Sequence, residues 1–361
     1  MKILIVSGYF YPQNTPRAFR TAELAKRFCE LGHDVTVYIP QNDYDYTSFI
    51  KEYPITIRFY QGFKGRNKFV GIPIIDRVIY RVLYQFLAYP DRWNIKPLMK
   101  ALRKEAGYDL LVSIAMPYST HWALGKLYNK GIKAAKCWVA DCGDPFMLSG
   151  SNNFKQPFYF KSLETRWCRM CNFISVPTDK SYDGYYPEFR EKIRVIPQGF
   201  DFSDIRTKEY KKNAVPIFAY SGSTIPVRRD LRPILDILIK KKADFELHIY
   251  TSQKDIYSYY KEQLGEKLQL HDYIPRLELL EKLSGMDFLL NLDNGTTVQT
   301  PSKLIDYALT GRPILSLNSC NIDEALLESF LNGDYSGQYE VDNLDQYNIT
   351  TVAQQFLDLC K

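Results

Sequence analysis

Short apolar runs of strand length alternate with amphipathic, helix-length stretches along almost the whole chain, and that alternation confines it to parallel-sheet α/β architecture. Strands are expected at residues 3–7, 35–39, 55–59, 110–114, 136–140, 173–176 and 193–196. Around "VIPQGFD", from Val195 to Asp201, the alternation pauses, and the polar, Lys-rich residues 207–213 read as an interdomain linker. A second series follows at 217–221, 245–250, 268–270, 288–292 and 314–317, and residues 350–359 read as a helix. At 361 residues the chain exceeds what one core usually supports. The expectation is therefore two Rossmann-like domains, 1–200 and 201–345, facing across a cleft, with 346–361 a terminal helix able to pack back on the first. The opening βαβ unit is the most legible. Its helix begins at Pro16 with Thr15 as cap, repeats Phe19, Ala22, Ala25 and Cys29 at helical spacing, and ends at Gly32.

Several classes are excluded by what this pattern lacks. Neither first strand is followed by G-x-G-x-x-G, which argues against a dinucleotide-dependent dehydrogenase, and no G-x-x-x-x-G-K-[ST] is present, which argues against a P-loop enzyme. Met1 to Val6 enters a strand without a basic leader or cleavage site, and no apolar run reaches membrane-span length; both point to a cytoplasmic chain. Seven cysteines, an odd number, argue against a disulfide framework, and Cys168-x-x-Cys171 reads as two buried helix cysteines, not a metal site. Neither metal, cofactor nor nucleic acid is expected. The formal charge of +6 is unevenly spread: from Arg58 to Lys104 eleven Lys/Arg stand against two Asp, a local +9 against −3 elsewhere. Basic residues there alternate with aliphatic and aromatic ones. Such a block is either a solvated helix face or a peripheral contact with the anionic inner face of a membrane.

Four segments can carry chemistry. In "TPSKLIDYALTGRPILSL" a helix opens at Thr300, Pro301, Ser302 and Lys303. Its unpaired N–H groups, positive dipole end and lysine suit a diphosphate, while Asp306 one turn on can accept two hydrogen bonds from vicinal hydroxyls. In "AYSGSTIPVRRDLRPIL" the small residues Gly222 and Ser223 let a ligand approach the backbone, and Arg228 or Arg229 offers a planar fork for phosphate. His121 follows a strand and a proline turn in "SIAMPYSTHWAL", where a neutral imidazole facing the cleft could bond a sugar; a helix-start histidine without function is the competing reading. "VADCGDPF" places Asp141 and Asp144 at a strand's end, either as ligands for hydroxyls or as turn formers.

Together, and in this order, these segments resemble the retaining glycosyltransferases of family 4 in the GT-B superfamily, almost end to end. "FYPQNTPRAFRTAELAKRFCELGHDVTVYIP" is similar to the family's opening loop, helix and strand, "KIRVIPQGFD" to its passage into the second domain, and "PSKLIDYALTGRPIL" to its nucleotide site. The resemblance implies a nucleotide-diphosphate sugar as co-substrate and a saccharide or lipid-linked acceptor. It also implies metal-independent transfer with retention, in surface polysaccharide or glycan biosynthesis. By the same resemblance Arg228 or Arg229, with Thr300 to Lys303, holds the diphosphate and Asp306 the ribose. His121 meets the donor sugar, and Asn14, Thr15, Pro16 and Arg17 lie near sugar and acceptor. The chain departs from the family twice: those four residues replace paired glycines, and Val298 stands where an acid would precede Asp306 by eight. The departures leave open a non-catalytic GT-B scaffold that retains nucleotide binding. An epimerase would need cleft acids that are not evident.

Overall fold

In a computed structural model, which describes residues 1–66, 68–148, 155–226, 229–241, 243–293 and 302–361, every strand pairing is parallel. The chain forms two compact units, Met1–Phe200 with Gln346–Lys361, and Asp201–Asp345.

The first unit contains β1 (Lys2–Ser7), α1 (Pro16–Glu30), β2 (Asp34–Pro40), α2 (Thr47–Glu52), β3 (Thr56–Tyr60), α3 (Pro73–Leu87), α4 (Ile95–Leu102), β4 (Tyr108–Ala115), α5 (Ser119–Tyr128), β5 (Ala135–Cys142), α6 (Lys161–Met170), β6 (Phe173–Val176) and β7 (Ile193–Val195). The sheet order is β3-β2-β1-β4-β5-β6-β7. Successive strand side chains point to opposite faces, so a doubly covered sheet needs apolar residues without interruption. β1 supplies them: Leu4 and Val6 join the cluster under α4, α5 and α6, while Ile3 and Ile5 join the one under α1. Thr15 caps α1 by accepting the Ala18 N–H at 3.2 Å, and Gly32 follows the helix with φ +81°. Its core face is Ala18, Ala22, Ala25 and Phe28, whereas Phe19 is half exposed, so the expected face is rotated by about one residue.

The second unit contains β8 (Ile217–Ser221), α7 (Arg232–Lys240), β9 (Glu246–Tyr250), α8 (Ser258–Leu264), β10 (Leu268–His271), α9 (Arg276–Leu283), β11 (Phe288–Asp293), α10 (Ser302–Leu309), β12 (Ile314–Asn318) and α11 (Glu324–Leu331), in the sheet order β10-β9-β8-β11-β12. Residues 207–213 are not a free linker. Lys208 N–H donates to Ser284 Oγ at 2.8 Å, and Tyr210 and Asn213 both donate to the Asp287 carboxylate.

The last helix, α12 (Ile349–Asp358), returns to the first unit, where Val352, Ala353 and Phe356 are buried on the α1 side of the sheet. There Cys360 is disulfide-bonded to Cys137 of β5, a single bridge where the sequence argued against a disulfide framework; the other five cysteines form no disulfide. The pair is 223 residues apart in sequence and meets only because α12 crosses back. Cys168 and Cys171 are buried and unbonded. Among the described residues no helix is long and apolar enough to cross a membrane.

Candidate functional site

Strand order reverses between β8 and β11, where β8 connects to one neighbour and the chain later returns on its other side; in open α/β sheets ligands bind outside the carboxyl ends of strands at such a point. Here the opening has a visible cause. β8 and β11 are in register at Phe218↔Phe288 and Ala219↔Leu289, and the pairing stops there although both strands continue. The strands part, and a small cavity lies between Tyr220, Asn291, Arg229 and Lys303.

Lys303 stands in the first turn of α10, which Tyr307 fastens to the end of β8: the Ser221 N–H donates to Tyr307 Oη at 2.9 Å. The ammonium lies 5.4 Å from the Tyr220 ring centroid. Its seat exists because Gly222, at φ +141°, has no side chain; a Cβ there would fall 1.6 Å from Nζ. Burial, and then the neighbouring charge of Arg229, push the ammonium down to about 8. Arg229 is held by a backbone bridge to Ile225 (2.8 and 3.0 Å), and its buried Nε has no hydrogen-bond partner. Two cations thus repel one another across a cavity at a helix start, an arrangement that a dianion would satisfy.

Asp306 departs from expectation. Its Oδ1 already accepts Arg276 Nε at 2.8 Å and Nη2 at 2.6 Å, so the carboxylate is an ion-pair partner before any ribose arrives. Burial raises its pKa, against which Arg276 and Lys303 act. Arg276 went unnoticed in the sequence; its signal is Pro275-Arg276 opening α9 just after β10. Ser223 is exposed beside Gly222. Arg228, Thr300 and Pro301 lie outside the described residues; Ser302 opens α10, and its side chain is likewise outside them.

In the first unit two expected ligands are core residues. His121 is fully buried, not facing a cleft, because all of α5 from Ser119 to Leu124 packs inward between the sheet and α6. Its ring centroid lies 4.8 Å from that of Trp167. Trp138 Nε1 donates to Ser113 Oγ at 2.7 Å, and the His121 ring is hydrogen-bonded through Nδ1 with Ser113 Oγ at 2.9 Å and through Nε2 with Cys142 Sγ at 3.2 Å. Burial pushes this imidazole down to about 3, which keeps it neutral. Asp141 is likewise buried, with its carboxylate already engaged. Its Oδ1 accepts Arg20 Nη2 at 2.9 Å and Ser175 Oγ at 2.7 Å, and its Oδ2 accepts Arg20 Nε at 3.3 Å. Burial would raise this carboxyl, but Arg20, Arg17 and Ser175 outweigh it and hold it below the usual range. Arg20, also missed in the sequence, further donates to the Pro197 and Ile196 carbonyls at 2.5 and 3.3 Å.

What remains accessible at this end of the sheet is a smaller set. Asn14 and Pro16 are exposed and Thr15 is spent on its cap. Arg17 is half buried, 3.8 Å from Asp141 Oδ2, and occupies the space a Cβ at Gly143 would need. Asp144 is exposed, and its carbonyl accepts the Tyr118 hydroxyl.

The sequence matches no family model and no curated protein. The coordinates, in contrast, match solved structures over essentially their whole length. The lipopolysaccharide outer core galactosyltransferase WaaB, in its apo form, is 12% identical with a TM-score of 0.60 over 99% of both chains. Anabaena HepE in complex with UDP gives 12% and 0.60, again over 99% of both. TarM gives 10% and 0.63 over 100% of this chain and 99% of its own. The fold is GT-B. Within it, the GT-B chain's second unit carries the Arg229–Lys303 pair and the first unit carries Arg17 and Asp144.

Proposed function

We propose that this GT-B protein moves a sugar from a nucleotide diphosphate to a saccharide or lipid-linked acceptor, with retention and without a metal, in the building of a surface polysaccharide or related glycan. The observation that carries the reading is the cation pair of Arg229 and buried Lys303 around a cavity at the β8/β11 switch point. Bond cleavage at the anomeric carbon loads negative charge onto the departing diphosphate. Two fixed cations and the start of α10 stabilise that charge where a metal would otherwise be needed. The departing phosphate can then take the acceptor's proton on the same face, which keeps the anomeric configuration. Likeness to WaaB and to UDP-bound HepE supports the reading.

The test is a screen of UDP- and GDP-sugars by melting temperature, followed by donor hydrolysis with and without EDTA. A matching donor raises the melting temperature, hydrolysis is indifferent to EDTA, and Lys303→Met and Arg229→Met remove both effects. No stabilisation by any nucleotide sugar sinks the proposal. The enclosure of His121 and the Arg276–Asp306 pair favour a second reading, nucleotide binding without transfer. Stabilisation without hydrolysis or transfer to any acceptor selects it.

The same reading places the protein at the inner face of a membrane. Support comes from α3, where Ile74, Val78, Val82 and Phe86, at i, i+4, i+8 and i+12, are 74, 56, 50 and 53% exposed beside Arg77 and Arg81. Val78→Asp with Val82→Asp should abolish flotation with anionic liposomes; unchanged flotation defeats the assignment.

A further inference from the structure

One groove on the first unit has no part in the chemistry above. It is a groove of about 690 Å³ between α4, α5 and α6, lined by Lys96, Lys100, Arg103, Lys126, Lys130 and Arg166 over a floor that includes Ile95 and Met99. Each wall follows from the helices. The buried face of α4 is Ile95, Leu98 and Leu102, which turns Lys96, Lys100 and Arg103 outward as a row about 10 Å long. Leu127 and Tyr128 anchor the end of α5 and leave Lys126 and Lys130 on the facing wall. Arg166 enters from α6.

Among the described residues no carboxylate is ion-paired with any of the six, although Lys and Arg side chains elsewhere on the chain are, Arg20 with Asp141 and Arg276 with Asp306 among them. No acid lines the groove. Lys126 registers the crowding: burial, then Arg166, Arg92, Lys96 and Lys130, lower its pKa. The C-terminal ends of α4 and α5 relieve some of this repulsion, but a helix end supplies only about half a charge. Two such ends fall well short of six cations. The deficit is of the size that a multiply charged anion makes up, and a groove with cations on both walls suits a compact anion better than a single carboxylate.

We propose that the α4–α5–α6 groove binds a ligand carrying two or more closely spaced phosphate groups. The site is separate from the Arg229–Lys303 cavity, which belongs to the other unit. Phosphates of this kind are presented by lipid headgroups or by a soluble phosphorylated molecule, and the experiment separates the two.

The full chain carrying Arg229→Met and Lys303→Met, to silence the donor site, and Val78→Asp with Val82→Asp, to remove any contact of α3 with a membrane, is titrated with inorganic tripolyphosphate by calorimetry and mixed for sedimentation with cardiolipin–phosphatidylcholine vesicles, whose anionic headgroup carries two phosphates. Lys100→Gln with Lys126→Gln in that background should weaken binding at least about tenfold, as expected for loss of charge-assisted hydrogen bonds. It should leave the ligand-free melting temperature unchanged or higher, because repulsion is relieved. Vesicle binding that the Gln variant loses identifies lipid as the source. Tripolyphosphate binding without vesicle binding identifies a soluble ligand, and either outcome supports the site. Binding of neither probe, equal binding by the Gln variant, or binding insensitive to salt overturns it.

Discussion

Burial and the Arg229 guanidinium bring Lys303 down to about 8, so near-neutral assays straddle the point at which this site holds two charges or one. The sign follows directly. Below about 8 the ammonium is intact and a diphosphate meets two cations; above it the amine is neutral and one cation remains. A bound dianion favours the protonated form, so binding raises the Lys303 pKa and takes up a proton. Calorimetry of UDP at pH 8–8.5 in buffers of different ionisation enthalpy should show net proton uptake, and affinity should fall as pH rises through 8. In Lys303→Met both effects vanish; uptake that persists there would assign the proton to another group. Gly222→Ala tests the lysine's seat. The added Cβ meets Nζ and the residue must hold φ +141°, so a loss of about 1 kcal/mol or more in stability is expected. A fall in UDP affinity should accompany it, measured by the same titration, while a variant that binds UDP normally contradicts the seat. The segments around these residues could be singled out because a strand running into Ser221-Gly222-Ser223 and a helix opening across Thr300 to Lys303 are local patterns. The enclosure of His121 and Asp141 was not legible, because nothing local reveals that Trp167, Ser113 and Arg20 close over them.

Element by element, strand boundaries were readable to within two residues, since continuous apolar runs mark doubly covered strands wherever they lie. Orientation of helix faces was not. The i, i+4 aliphatic row of α3 has the spacing of a core stripe and yet is exposed, while residues 207–213, polar enough for a linker, are tied to Asp287. Only partners distant in sequence decide such cases. α6 holds a further example in Glu164, whose buried carboxylate is pushed up to about 8 by burial, opposed only by the Met147 backbone. In the unfolded chain a glutamate ionises near about 4.3. Between those two values the folded state binds more protons than the unfolded one, so stability is highest below about 4.3, as far as this group is concerned, and falls as pH rises toward 8. Glu164→Gln removes the dependence. It should raise the melting temperature at pH 8 by roughly 3 °C or more and change it little at pH 4.5. A uniform shift at both pH values would refer the effect to packing and not to ionisation.

At the scale of the whole molecule, the path of the chain matters more than either sheet. It leaves the first unit after Phe200 and comes back at Gln346, so the N-terminal sheet is completed by the last sixteen residues of the sequence. Ile349, Val352, Ala353, Phe356 and Leu357 lie in one cluster with Ile3, Ile5, Leu110 and Val112. The Phe356 ring also lies 5.1 Å from the Arg20 guanidinium that binds Asp141. Removing these side chains forfeits on the order of 5–10 kcal/mol of burial, comparable to the entire margin of a folded domain. No residue of Asp201–Asp345 is lost, so the Arg229–Lys303 cavity keeps all its walls. A chain ending at Asp345 should therefore lose its first unit and retain its second. The readout is built in, because all four tryptophans, Trp93, Trp122, Trp138 and Trp167, belong to the first unit. Their emission should shift to that of exposed indole while UDP still binds the truncated chain. Native emission would mean that α12 is an accessory to the sheet and not part of its core; simultaneous loss of UDP binding would mean that the second unit depends on the first for its fold.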